Sequence, residues 1–226
     1  MALLIFAVLS LLVAGELQAG VVVGGTRFIF PADRESISIL LTNTSQESWL
    51  INSKINRPTR WAGGEASTPL LAAPPLILLK PGTTGTLRLL RTESDILPVD
   101  RETLFELSIA SVPSGKVENQ SVKVAMRSVF KLFWRPEGLP GDPLEAYQQL
   151  RWTRNSQGVQ LTNPTPYYIN LIQVSVNGKA LSNVGVVPPK SQRQTSWCQA
   201  IAPCHVAWRA INDYGGLSAK KEQNLP

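Results

Sequence analysis

Apolar residues take every second place in short runs along this chain, and turn residues break the runs. Ile37, Ile39 and Leu41 alternate with polar neighbours, and Asn43-Thr44-Ser45 follows as a turn. Further apolar, β-branched or alternating runs predict strands over residues 21–30, 49–55, 76–79, 86–90, 103–112 and 122–134. With the run at 37–41 they form a set whose spacing predicts an antiparallel sandwich. No stretch carries a helical period. Residues 135–143 (R-P-E-G-L-P-G-D-P) can continue neither a helix nor a central strand. They divide the chain into a first domain over 20–135, a linker over 136–142 and a second domain over 143–226. Strands are predicted there over 158–161, 167–176, 186–187 and 205–211. Asn177-Gly178 between two alternating runs marks a hairpin. The tail from 218 to 226 is polar and is expected to be loose.

The first residues follow a different rule. Residues 1–13 are almost wholly apolar, and Leu17-Gln18-Ala19 ends the more polar stretch after them. This is the pattern of a secretory signal, 1–19, cut after Ala19. The apolar run is shorter than the roughly 20 residues a membrane helix needs, so no membrane insertion is expected. Export gives the two cysteines, Cys198 and Cys204, an oxidising compartment, and they are read as one disulfide.

The formal net charge is +6 and becomes one unit more positive without Glu16. The bases are scattered, with no run longer than Lys220-Lys221, so the charge suits acidic proteins or anionic membrane surfaces better than nucleic acid. Enzyme chemistry finds little support. There is no G-x-S-x-G, no P-loop and no H-E-x-x-H, and His205 is the sole histidine. Neither a metal nor a cofactor is expected. Asp95, Asp100, Glu102 and Glu106 lie close in sequence and read, by composition alone, as turn and solvent-face charges. A secreted adhesive or carbohydrate-binding sandwich is the alternative; it requires aromatic residues gathered on loops, for which Trp61, Trp152 and Trp197 are available.

Two cations sit where cations are costly. Arg27 lies inside G-T-R-F-I-F-P and Lys131 inside S-V-F-K-L-F-W-R-P, and neither run supplies an acid. An unpaired charge in apolar surroundings costs several kcal/mol. Their partners come from elsewhere in the fold, or both wait for an anion from another molecule, such as a chain-terminal carboxylate.

These segments carry a resemblance to the periplasmic chaperones of the chaperone–usher pathway, which assemble pili. The G-T-R-x-I-x-P start resembles that family's first strand. Residues 122–136, ending K-L-F-W-R-P, resemble its seventh strand and linker. D-R-E-T-L-F at 100–105 resembles the turn before its sixth strand, and I-N-D-Y-G-G at 211–216 its second-domain signature. The resemblance implies an all-β fold of two immunoglobulin-like sandwiches in a boomerang. It implies that Arg27 and Lys131 grip the C-terminal carboxylate of a fimbrial (pilin) subunit. Val122, Val124 and Met126 are then the apolar residues of a donated strand, and Glu102, Arg135 and Asp213 an interdomain charge cluster. The loop before the donated strand has the length of the family's short-loop branch. The implied partners are fimbrial subunits and the outer-membrane usher, and the implied place is the periplasm. A lent strand, exposed when empty, also favours self-association of the free protein.

Overall fold

The computed structural model describes residues 20–58, 68–92, 97–115, 123–182, 184–199 and 203–226. Residues 1–19, Trp61, Asp95 and Val122, all named above, lie outside them.

The first domain is two facing sheets. Its strands are β1 (Val21–Val23), β2 (Arg27–Pro31), β3 (Ser36–Asn43), β4 (Trp49–Asn56), β5 (Leu70–Ala73), β6 (Leu76–Leu79), β7 (Thr84–Arg91), β8 (Thr103–Pro113) and β9 (Met126–Arg135). One sheet runs β1-β3-β7-β5 and the other β2-β9-β8-β4-β6. Alternation sends Ile39, Leu41, Leu87 and Leu89 from the first sheet against Phe30, Ile51, Leu107, Leu132 and Trp134 from the second. Phe30 stacks on Trp134 at 5.3 Å between ring centres, locking β2 to β9.

The second domain repeats the plan. It contains β10 (Arg151–Asn155), β11 (Gly158–Asn163), β12 (Ile169–Val176), β13 (Lys179–Ala180), β14 (Val186–Val187), β15 (Ser191–Thr195), β16 (Cys204–Ile211) and β17 (Lys221–Leu225). Its sheets run β10-β11-β15 and β13-β12-β16-β17, with β14 also on β12. Trp152, Leu161, Val174, Val206 and Trp208 fill its own core. Both domains are therefore β-sandwiches with separate cores, of the immunoglobulin-like class. They even share a turn. Buried Asn43 Oδ1 accepts from Ser45 N at 2.9 Å and from Ser45 Oγ at 2.8 Å. Buried Asn163 Oδ1 accepts from Thr165 N at 3.0 Å and from Thr165 Oγ1 at 2.7 Å. Each Asn-x-Ser/Thr closes a strand by satisfying the turn's backbone, the Asx-turn chemistry.

Three expectations need correcting. The predicted strand at 21–30 is two strands in different sheets. Gly24 and Gly25 make the crossing: Gly24 N bonds Leu40 O at 2.9 Å and Gly25 N bonds Val23 O at 2.7 Å, which ends β1 before β2 begins. The strand expected from 122 starts at Met126, with Val124 preceding it. The tail is not loose, because β17 pairs along β16 from Cys204–Leu225 to Trp208–Lys221 and Leu225 is buried in the second core. Strands β5, β10 and β15 were not anticipated.

Cys198 and Cys204 form the disulfide, with S–S 2.07 Å. It closes a loop of sequence separation 6 onto the first residue of β16. So short a loop limits the entropic gain to about 2 kcal/mol. The double variant Cys198→Ala/Cys204→Ala is expected to lose that amount in chemical denaturation while keeping its fold, and reductant should do the same to the wild type.

Candidate functional site

Strand β9 is flanked unequally. On one side β8 accompanies it from Thr103–Trp134 to Ser111–Met126. On the other, β2 pairs in parallel with only Lys131 to Arg135. The register of β2, set by the Gly24-Gly25 crossing, leaves the outer edge of β9 from Met126 to Phe130 without a strand neighbour among the described residues. An uncovered edge presents backbone N–H and C=O groups ready to pair with another chain. Apolar side chains along it are open to solvent, Met126 52% exposed, Val129 56%, and Val124 just before the strand 64%, with exposed Arg127 and Ser128 between Met126 and Val129. Phe130, Leu132 and Trp134 turn toward the core. By the period of two, Met126 lies on the same side of the sheet.

The edge ends at two cations. Arg27 of β2 and Lys131 of β9 are register partners, which places their side chains on the same face of the sheet, away from the core. Arg27 Nη1 donates to the Ile211 carbonyl at 3.0 Å, tying the first domain to the second. Its Nε is buried and has no hydrogen-bond partner among the described residues. Burial lowers the Arg27 pKa, and the charge of Asp213 works against that fall. A buried guanidinium N–H with no acceptor is a cost that an incoming anion would remove. Lys131 is half-buried and lines a cleft with Leu104, Glu106, Val129 and Phe130, while Gly185 and Val186 of the second domain close the far wall.

Glu102, Arg135 and Asp213 come together across the domains. Glu102 is 3% exposed. Its Oε1 accepts from Arg135 Nε at 2.7 Å, and its Oε2 accepts from the Tyr168 backbone N–H at 2.7 Å. Arg135 continues to Asp213, with Nη1 on Oδ2 at 2.7 Å and Nη2 on Oδ1 at 3.1 Å, a bidentate fork. Burial pushes the Glu102 carboxyl up in pKa against the pull of Arg135. For Arg135 burial acts to lower the pKa, but the bonds to Asp213 and Glu102 hold it above its ordinary value. The reading of Glu102 as a solvent-face charge is therefore wrong: its side chain is enclosed. Asp213 sits in a rigid loop, where Asn212 Oδ1 accepts from Tyr214 N at 3.1 Å and from Gly216 N at 2.8 Å. Nearby, Phe133 meets Tyr168 at 5.6 Å and Lys190 Nζ reaches Asp100 at 2.6 Å.

Much of this was outside the reach of the sequence. The Ile211 carbonyl and the Tyr168 amide are backbone groups without a sequence signal. Val129 falls on the opposite strand parity from Val124 and Met126, so the pattern that selected those two passed it over. The aromatic cluster required by an adhesive sandwich does not form from Trp152 and Trp197, which stack at 6.1 Å with Trp152 buried in the second core.

The two domains that carry this edge match known proteins. The model described as the pili and flagellar-assembly chaperone PapD N-terminal domain matches residues 20–140. That of the pili assembly chaperone PapD C-terminal domain matches residues 145–222. The chain belongs to the PapD family of pilus-assembly chaperones. YcbF, a fimbrial chaperone of Escherichia coli K12, is 98% identical, with 100% of this chain and 97% of the relative covered. FimC of the same strain is 33% identical, with 94% and 87% covered. Among solved structures, the SafB chaperone of Salmonella enterica in complex with the SafA pilin superposes with TM-score 0.79 at 29% identity, covering 94% of this chain and 99% of that one. The YadV chaperone gives TM-score 0.77 at 29% identity, covering 92% and 100%. The protein is thus a fimbrial chaperone, and the adhesive reading is set aside.

Proposed function

We propose that this chaperone works in the periplasm, where it holds fimbrial subunits by lending them the bare edge of β9. A subunit that lacks a strand exposes an apolar groove and unpaired backbone, both of which promote aggregation. The edge from Met126 to Phe130 supplies the missing pairing by β-strand addition. Met126 and Val124, with Val122 beyond the described residues, fill the groove. Arg27 and Lys131 bind the subunit's terminal carboxylate and so fix the register, since a slip of one residue would turn the apolar side chains out of the groove. Glu102, Arg135 and Asp213 hold the two domains at the angle that shapes the cleft. No cofactor and no catalytic step enter this scheme. The single observation that carries it is the uncovered β9 edge ending at the Arg27–Lys131 pair.

A held subunit must still be passed on. With the edge occupied, the outward row Leu78–Leu50–Val112 across β6, β4 and β8 remains accessible and suits a second partner, the outer-membrane usher.

The test is co-expression of the chaperone with pilins in the periplasm. Wild type is expected to yield a soluble one-to-one complex. Met126→Asp places a charge where an apolar side chain would be buried, a loss of about 1.5–3 kcal/mol or more. It is expected to reduce recovered pilin at least about tenfold without unfolding the chaperone, because Met126 is exposed. Equal recovery with both proteins would refute the strand-lending reading.

A further inference from the structure

The cation pair belongs to a longer row. Lys131 of β9 stands opposite Arg27 on β2 and opposite Glu106 on β8, and Glu106 stands opposite Asn56 on β4. Register partners share a face, and here it is the face away from the core: one place along each strand, Leu107, Leu132 and Ile55 are in the first domain's core and Phe28 packs against it. Glu106 is half-buried, and with Lys131 it lines the cleft closed by Gly185 and Val186. Side chains directly opposed on an antiparallel pair have Cβ atoms about 4.5–5.5 Å apart. A carboxylate therefore lies within the field of the group proposed to bind carboxylates.

We infer that Glu106 is a specificity-determining residue of the cleft, one that limits the site to a single negative charge. The inference rests on the anion-binding role proposed above for Arg27 and Lys131. Two cations alone carry twice the charge of one chain terminus. With Glu106 the row carries one net positive charge, matched to one carboxylate. A terminus bearing a second acid meets Glu106 in a partly desolvated cleft, where like charges repel more strongly than in water. The same charge loosens the grip on an ordinary terminus, which suits a carrier that must let its cargo go.

The probes are short synthetic peptides of alternating valine and threonine: one with a free C-terminal carboxylate, one amidated, and one ending in aspartate. Affinities are measured by calorimetry at low salt for wild type, Glu106→Gln and Lys131→Ala, each checked for an unchanged melting temperature. Wild type is expected to favour the free carboxylate over the amide and to disfavour the aspartate terminus. Glu106→Gln is expected to bind the free carboxylate about fivefold tighter, to gain more on the aspartate terminus, and to leave the amide unchanged. Lys131→Ala should abolish the preference for carboxylate. If Glu106→Gln leaves the ordering unchanged, or tightens the amide equally, Glu106 has no such role while the cation site stands. If wild type does not distinguish carboxylate from amide, the anion-binding reading fails, and this inference with it.

Discussion

Lys131→Ala is expected to abolish pilin capture and leave the chaperone folded. Lys131 points away from the core while its neighbours Phe130 and Leu132 pack into it, so truncation opens no cavity in the sandwich. What the variant loses is a charge-assisted contact to the incoming carboxylate, worth about 1.5–3 kcal/mol. It also loses the register mark that sets Met126 and Val124 in the groove. Loss of affinity near a hundredfold corresponds to the upper end of that range, and mis-registered subunits would aggregate rather than accumulate as a weak complex. Arg27→Ala should also fail, but it cuts the bond to the Ile211 carbonyl and so disturbs the domain contact as well. Lys131 is the cleaner probe. Capture is read by co-purification and folding by circular dichroism; an unfolded Lys131→Ala would assign the lysine to the scaffold instead.

The second large effect is expected at Glu102. Its carboxylate is buried and accepts from both Arg135 and the Tyr168 amide. Glu102→Ala removes both acceptors at once. Removing one partner of a buried ion pair costs about 3–5 kcal/mol, and the lower end applies because Arg135 keeps its fork to Asp213. Of the two bonds lost, one joins the end of β9 to the residue before β8 and the other joins the first domain to Tyr168 of the second, whereas each core remains intact. The change should therefore appear as altered domain orientation in solution scattering and a lower denaturation midpoint. Capture should fall only as far as the cleft is misshapen, since the β9 edge is untouched. Unchanged scattering together with unchanged stability would contradict the role of this cluster.

What the sequence displayed and what it hid follow from where side chains point. Half-buried strands such as β3 and β7 were readable because one face enters a core and the period of two survives in the residues. The Asn177-Gly178 hairpin was readable because both positions need positive φ, observed at 49° and 77°, and the strands close at Val176–Lys179. The cysteine pair followed from the inferred compartment. The strands at 151–155, 191–195 and 221–225 were hidden because they are polar edge strands. In β17 only Leu225 is buried, so no alternation marks it. The split of β1 from β2 was hidden because apolar residues continue on both sides of Gly24-Gly25 although they enter different sheets.

The site divided in the same way. The family resemblance named Arg27, Lys131, Glu102, Arg135 and Asp213, and the structure sets the first two in register and joins the last three by hydrogen bonds. The open edge had no signature in the residues of β9, because it is made by the place where β2 begins. Glu106 stood in the sequence as one acid among several. Only the pairing of β8 with β9 puts it beside Lys131.

The most direct test of the lent strand is amide hydrogen exchange on the free chaperone and on its complex with a pilin, compared residue by residue. Alternate amides of residues 126–130 face away from β8 and have no strand on that side among the described residues. They should exchange quickly in the free protein and become strongly protected in the complex, while β16 and β17 of the second domain change little. Protection that appears elsewhere, with residues 126–130 exchanging as fast in the complex as in the free chaperone, would contradict the account.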